Sequence, residues 1–142
     1  MIATTKTTVL AITVLLIVYS CSTDDGNKDY ILGCSNDNII ELSKKDVEFN
    51  SEKDSVVITT GSDIWWLSEV QLEGSPQKDL AKVNVTAPNF IVEDSVFTVE
   101  RRNSNEVHIA MSENKTDENR KLIVLLQQAN CFDRIVINQV RK

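Results

Sequence analysis

The feature that most constrains the fold is a pair of adjacent tryptophans, Trp65 and Trp66. Successive side chains of a β-strand point to opposite faces of its sheet, so an extended pair cannot place both indole rings in one core. Trp66 shares its alternation with Ile64, Val70 and Leu72, whereas Trp65 shares its alternation with polar residues further along. The pattern therefore predicts that Trp66 anchors the core and that Trp65 lies on the opposite face.

The chain from Ile39 onward consists of short apolar runs separated by turn residues, a pattern typical of an all-β domain. The predicted strands are 47–50, 55–60, 64–72, 81–85, 96–100, 106–112, 121–127 and 134–139. A 142-residue chain has room for one such domain, and eight short strands predict an antiparallel two-sheet β-sandwich. Alternation predicts the following inward residues: Val107, Ile109, Met111, Ile135 and Ile137. Because 122–126 is apolar at every position, its outer face is expected to be covered, with 30–42 as the available cover.

Residues 1–20 read as a secretory signal peptide, with a polar start, an apolar run over 9–18 and a short end before Cys21. The ending Val18-Tyr19-Ser20-Cys21 resembles a bacterial lipobox, in which the cysteine is acylated, for example with palmitate. Residues 21–38 are then a lipidated flexible tether. Asp24 and Asp25 resemble the signal that sends Bacteroidetes lipoproteins to the outer face of the outer membrane. The alternatives are an ordinary secreted protein and a plain solvated linker.

The charge balance argues against a nucleic-acid partner. Removal of residues 1–20 takes away only Lys6, so that 14 basic residues remain against 21 acidic ones, a formal net charge of −7. Such a chain repels phosphate polymers unless it carries a strong basic patch, and none is visible. The sequence also has one histidine and no paired cysteine motif, which argues against a structural zinc site.

Several segments, in their order along the chain, resemble the BACON domain. They are a first strand ending at Phe49, the tryptophan pair, 97–100, the turn 114–116 with Arg120, and a last strand ending at Gln139. The BACON domain is an immunoglobulin-like β-sandwich common in Bacteroidetes surface lipoproteins and glycan-degrading enzymes. The resemblance covers about residues 42–140, and 114–120 with Gln139 is its most specific part. The chain departs from it in the doubled tryptophan and the long piece 73–88.

That resemblance implies carbohydrate binding, or else a structural or protein-interaction role as an accessory subunit of an outer-membrane assembly. The candidate ligand-binding residues are Trp65, Leu67, Glu69 and Gln71, because an exposed indole can stack on a sugar ring while polar neighbours bond its hydroxyls. The alternative is that Trp65 is covered by the 73–88 piece.

Catalytic signals are absent from the sequence, and we predict that the chain is not an enzyme and uses no cofactor or metal. Its one histidine, His108, falls on an outward strand position without a hydrolase motif around it. Glu113, Asp117 and Glu118 are expected to form a solvated hairpin tip rather than a calcium loop, because the spaced ligands and glycine of such a loop are missing. The pair Arg101-Arg102 is expected to be a solvated turn, with a grip on acidic sugars as the alternative.

The sequence also predicts two covalent features. Cys34 and Cys131 would form a disulfide if they come close in the exported protein, and otherwise remain free thiols. Ser55 and Ser95 each follow an aspartate and precede a valine, which resembles the O-glycosylation signal of exported Bacteroidetes proteins.

Overall fold

The computed structural model describes residues 39–142. The predicted signal peptide, the predicted acylation site Cys21, the predicted tether 21–38 and Cys34 all lie outside this range. The described chain has eight strands and no helix: β1 Asp46–Phe49, β2 Asp54–Thr59, β3 Trp66–Leu72, β4 Phe90–Glu93, β5 Phe97–Arg102, β6 Glu106–Met111, β7 Arg120–Gln128 and β8 Cys131–Gln139. The predicted all-β class is confirmed.

The strands form two four-stranded sheets, in the orders β1-β8-β7-β3 and β2-β6-β5-β4. All pairs are antiparallel except β1 with β8, which run parallel from Asp46 opposite Val136 to Phe49 opposite Gln139. The neighbours β3-β7-β8 and β2-β6-β5 reproduce the two sheets of an immunoglobulin-like sandwich. The expected immunoglobulin-like β-sandwich is therefore the observed fold.

The core lies between the sheets and is filled by the inward residues of nearly every strand. The five inward positions predicted on β6 and β8 are all buried there, because strict alternation holds along both strands. Ile40 and Leu42, which precede β1, are also part of this core. One continuous apolar interior therefore extends from the chain before β1 to the last strand.

The piece 73–88 contains no strand, so the prediction of a strand at 81–85 is wrong. Local turn bonds take its place: the Asp79 side chain accepts from the Ala81 N–H at 2.9 Å, and the Val83 N–H donates to the Leu80 carbonyl at 2.9 Å. The segment covers the free edge of β3, where the Lys78 N–H donates to the Val70 carbonyl. The fourth strand is instead β4, which is not among the predicted strands.

A β-bulge in β3 reverses the predicted orientation of the tryptophans. Leu67 lies opposite Leu126 and Glu69 lies opposite Leu125, so two steps along β3 match one step along β7, and Ser68 is the extra residue. Ahead of the bulge the inward positions are Trp65 and Leu67, and after it the inward position is Val70. The prediction that Trp66 fills the core and Trp65 faces outward is wrong.

The outer face of β7 and β8 is apolar in its middle. Ile123 and Leu125 are half-buried there, and Val136 is buried beside them. Residues 39–42, the described part of the predicted cover, contribute Ile40 and Leu42 to the sandwich core instead. The rest of that cover, 30–38, lies outside the described range.

Candidate functional site

The tryptophan proposed as a sugar platform is a structural residue. Trp65 is 2% exposed, and its indole N–H donates to the Thr60 hydroxyl at 3.0 Å. The guanidinium carbon of Arg101 lies 3.9 Å from the centroid of its ring, within the range of a cation–π interaction. The two interactions that an indole can offer to a sugar are ring stacking and a hydrogen bond from its N–H. Trp65 makes both of them inside the protein.

Arg101 is buried, so the predicted solvated turn is wrong for this residue. Its Nη2 donates to the Asp63 carbonyl at 2.6 Å, its Nε to the Ser104 carbonyl at 2.9 Å and its Nη1 to the Ala87 carbonyl at 3.2 Å. Burial lowers the pKa of Arg101, but a guanidinium remains charged at neutral pH. Arg101 thus joins three loops at one end of the sandwich and is not available to grip an acidic sugar.

The four candidate ligand-binding residues do not form one surface. Trp65 and Leu67 are buried in the core, while Glu69 and Gln71 are half-buried on the outer face of β3. The Gln71 amide also donates to the Ser75 carbonyl at 3.3 Å. The bulge at Ser68 explains why the four residues lie on two faces of the sheet. They alternate in the sequence, but the extra residue changes the face to which the side chains after it point.

A different site lies where β1, β7 and β8 meet at the end of the sandwich that contains Gln139. It is a cleft of about 360 Å³, which we call the polar cleft. Its lining residues are Glu48, Glu73, Asn119, Arg120, Lys121, Asn138, Gln139 and Val140. Side chains that can donate and side chains that can accept hydrogen bonds are therefore gathered in one place.

Strand register explains why these side chains converge. Glu48 of β1 lies opposite Asn138 of β8, which lies opposite Lys121 of β7. The Asn138 amide donates to Glu48 Oε1 at 2.8 Å, and Lys121 Nζ is 3.8 Å from Glu73 Oε1. These pairs orient the carboxylates while leaving each of them a second oxygen that can accept from a ligand.

A buried polar network supports the cleft from behind. The Asn114 amide donates to the carbonyls of Glu118 at 2.8 Å and Val140 at 3.1 Å, and its oxygen accepts from the Thr116 hydroxyl at 2.7 Å. Gln139 donates to the Ser112 carbonyl at 3.0 Å. The segments that carry the most specific part of the family resemblance are thus the residues that close this end of the sandwich.

The chemistry of the cleft suits an uncharged ligand rich in hydroxyl groups. The cleft is lined by two carboxylates, Glu48 and Glu73, and by two cations, Arg120 and Lys121, so neither an anion nor a metal cation meets a field of one sign. A sugar hydroxyl both donates and accepts, and can therefore use both kinds of partner. Sequence reasoning missed this site because only the parallel pairing of the first and last strands brings Glu48 to Asn138.

The remaining candidates lie elsewhere. His108 Nε2 is 2.8 Å from Glu106 Oε2 on the outer face of the second sheet. Glu113 pairs with Lys142 at 3.2 Å and with Lys115 at 3.4 Å, and these partners hold its pKa below the ordinary value. Ser55 and Ser95 are exposed, and their glycosylation stays a prediction.

Within residues 39–142, no group of three or more histidine, cysteine, aspartate or glutamate side chains is placed to hold a metal ion. The same part of the chain has no helix of the length and apolar character needed to cross a membrane.

Two large apolar side chains stand on the outer face of the second sheet. Val57 is 49% exposed and Ile91 is 48% exposed. Register places them in one row across the four strands, since Val57 pairs with His108, His108 with Glu100, and Glu100 with Ile91. The row thus has an apolar side chain at each edge and polar side chains between.

Cys131 at the start of β8 is disulfide-bonded. The other two cysteines of the chain, Cys21 and Cys34, lie outside the described residues. The specific pairing of Cys34 with Cys131 therefore stays a prediction.

Comparison with known proteins identifies the fold alone. No protein-family model matches the chain, and no curated protein matches it. An NMR structure of a protein from Bacteroides thetaiotaomicron is similar with a TM-score of 0.55 and 18% identity, over 79% of this chain and 83% of that chain. The twitchin kinase region from C. elegans reaches a TM-score of 0.45 at 8% identity, over 70% of this chain and 15% of that chain. The chain thus shares its sandwich architecture with the Bacteroides protein, and its function has to be argued from its own residues.

Proposed function

We propose that this protein is a non-enzymatic surface lipoprotein of the BACON type that binds carbohydrate in the polar cleft. The observation that carries the proposal is the convergence of Glu48, Asn138, Lys121 and Glu73 at one end of the sandwich. Binding sites for small molecules are concave and hold a few oriented polar groups, as this cleft does. The cleft replaces the Trp65 surface as the place where a glycan would be held.

The proposed ligand is a neutral glycan rather than an acidic one. The carboxylate of an acidic sugar would meet Glu48 and Glu73 as well as Arg120 and Lys121, so it would gain no net attraction to offset the cost of removing its charge from water. Val140 supplies one apolar contact, and no aromatic ring is among the lining residues. Hydrogen bonds therefore provide most of the binding energy, and we expect weak affinity that is raised when many copies meet a polymeric glycan.

The anchoring part of the proposal comes from the sequence. The signal-like residues 1–20 and the lipobox-like ending at Cys21 support acylation of that cysteine, and Asp24 with Asp25 supports display on the cell surface. Several acyl chains hold a protein on a membrane durably, because each buried methylene contributes about 0.8 kcal/mol. The protein is then an outer-membrane lipoprotein with its sandwich outside the cell.

Glycan binding is tested with the secreted chain made soluble by Cys21→Ser, applied to an array of neutral and acidic glycans. Glu48→Ala and Lys121→Ala should each weaken binding to the best neutral glycan at least about tenfold, as expected for the loss of about 1.4 kcal/mol. Glu93→Ala and Lys82→Ala are matched controls, since both residues are exposed and lie away from the cleft. Binding that all four variants retain would rule out the cleft.

A second candidate function is that of a protein-interaction subunit of an outer-membrane assembly. The exposed row from Val57 to Ile91 favours it, because two apolar side chains flanking a polar centre form a surface that a partner protein can cover. Chemical crosslinking in intact outer membranes should yield a partner that Val57→Glu with Ile91→Glu abolishes. Loss of that partner in the cleft variants instead would argue against this surface.

A further inference from the structure

We infer that the end of the sandwich opposite the polar cleft is a lipid-contacting surface, and that the protein rests on the membrane through Ile39 and Ile64. The inference rests on the anchoring part of the proposed function. We call this end the proximal end, defined by Ile39, the loop 61–64 and the start of β8, and the cleft end the distal end.

The topology places the anchor and the cleft at opposite ends. β1 runs parallel to β8, so the chain before β1 lies beside the first residues of β8, and Lys45 Nζ indeed lies 2.9 Å from Asp133 Oδ1. The cleft lies at Gln139, where the nine-residue β8 ends. At about 3.3 Å per residue, the two ends are separated by roughly 26–30 Å along this strand.

The proximal end displays two large apolar side chains to solvent. Ile64 is 68% exposed and Ile39 is 38% exposed. They belong to neighbouring segments, because the Gly61 N–H donates to the carbonyl of Ile40 at 3.0 Å. Large apolar side chains exposed on neighbouring segments at one end of a domain are candidates for a contact surface.

The loop that carries Ile64 is held rigidly from both sides. The Asp63 carbonyl accepts from Arg101 at 2.6 Å, and Trp65 is fixed by its bond to Thr60 and by the same guanidinium. Because the backbone on each side of Ile64 is already ordered, contact with lipid does not have to order it. The buried Arg101–Trp65 pair thus has a role in presenting Ile64.

A lipid surface fits this end better than a diffusing partner does. Cys21 precedes Ile39 by 18 residues, which span at most about 60–65 Å at 3.3–3.6 Å per residue, so an acylated chain keeps the bilayer within constant reach. The anchor gives the lipid surface a high effective concentration at the proximal end, so that even a weak contact with lipid is formed most of the time. The exposed charged residues of these segments are Glu41, Lys44 and Asp63, which carry no excess of positive charge to attract lipid headgroups, so the contact depends on the apolar side chains and should not weaken in high salt.

The two tryptophans of the chain are built-in reporters, since both follow Ile64 directly. The acylated full-length protein is reconstituted into phosphatidylcholine vesicles that carry a nitroxide on the lipid headgroup, which quenches nearby indole fluorescence. Quenching should be at least twice as strong in the unmodified protein as in Ile64→Glu. Lys115→Glu, at an exposed position of the turn at the distal end, should leave it unchanged.

Equal quenching in Ile64→Glu and the unmodified protein would overturn the inference. This is also the result expected if the proximal end binds a protein instead of lipid. A decrease with high salt would also contradict an apolar contact. Intact mass separates this failure from that of the proposed function. If the mass shows no acyl groups on Cys21, both the proposed anchor and this inference are wrong. If Cys21 is acylated but Ile64→Glu does not change the quenching, only this inference is wrong.

Discussion

The guanidinium of Arg101 stacks on the indole of Trp65, with 3.9 Å between the guanidinium carbon and the ring centroid. Arg101 belongs to β5 of one sheet, and Trp65 immediately precedes β3 of the other. The pair therefore joins the two sheets at the end of the sandwich where the described chain begins. It also explains why an arginine that the sequence suggests is exposed is instead part of the interior.

The buried indole should dominate the contribution of the tryptophan pair to stability. Trp65→Ala should lower the free energy of unfolding by about 3–5 kcal/mol, because it empties a filled part of the core. Trp66→Ala should cost about 1 kcal/mol, since its ring is only half-buried. Guanidinium denaturation of both variants measures the difference. A larger loss for Trp66→Ala would support the orientation that simple alternation predicts.

Arg101 should be intolerant of replacement, although it forms no ion pair in the described structure. Arg101→Met removes part-buried hydrogen bonds to the carbonyls of Asp63, Ser104 and Ala87 together with the stacking on Trp65, so the expected loss is about 2–4 kcal/mol. Arg102→Met is the matched control, and should change stability by less than about 0.5 kcal/mol because the guanidinium of this exposed arginine forms a surface ion pair with Glu100. Urea denaturation checks both, and similar losses would contradict the assignment.

Asn114 should be the most sensitive residue of the turn behind the polar cleft. Asn114→Ala removes the amide that donates to the Glu118 and Val140 carbonyls, and because the Glu118 carbonyl keeps the Thr116 hydroxyl at 3.2 Å, the expected loss is about 2–3 kcal/mol. Asn84→Ala, at an exposed asparagine, should cost less than about 0.5 kcal/mol. Thermal unfolding followed by circular dichroism compares them. An Asn114→Ala protein as stable as the control would show that the network is dispensable.

The pair Lys78–Asp94 should make a small, pH-dependent contribution to stability. A hydrogen bond from Lys78 at 2.8 Å lowers the pKa of Asp94 below its ordinary value of 3.8. Because the folded-state pKa is the lower one, the stabilisation is present above the unfolded pKa and is lost as the pH falls through the folded pKa. Lys78→Met should therefore cost under about 1 kcal/mol at neutral pH, where water screens this pair, and almost nothing near about pH 2. Denaturation at a series of pH values measures this, and a cost that grows on acidification would be the wrong sign.

The disulfide at Cys131 should join it to Cys34. Peptide mapping without reductant should recover one linked peptide pair, and Cys34→Ser should leave Cys131 open to alkylation, whereas Cys21→Ser should not. Breaking the bond should lower stability by about 4–5 kcal/mol on the chain-entropy estimate for a loop of nearly the whole domain. A linked peptide containing Cys21 would contradict this pairing and the acylation of that cysteine together.

Local alternation predicted much of the sandwich. β6 and β8 have no interruption, so their inward residues Ile109, Ile135 and Ile137 were correctly identified from the sequence. The same reasoning failed on β3, because a single extra residue at Ser68 changes which side chains share a face. A bulge has no side-chain pattern of its own, and only the pairing with β7 reveals it.

The residues that meet in the polar cleft could not be predicted from the sequence either. Glu48 and Asn138 are 90 positions apart, and each is an ordinary polar residue at an outward position of its strand. The parallel pairing of β1 with β8 makes them neighbours. The binding residues proposed from the sequence instead came from one stretch, 65–71. A sequence shows which residues are close along the chain, but not which distant strands pair with each other.

By itself, the sequence determined the β class, the approximate positions of most strands and the buried faces of the regular ones, because the two-residue repeat of a pleated strand is a local property. The tertiary structure alone decided which tryptophan is buried, that Arg101 is internal, and where polar side chains converge. Each of these depends on a bulge, a strand pairing or a loop contact between residues far apart in the chain, and such contacts form only when the two sheets close on their common core.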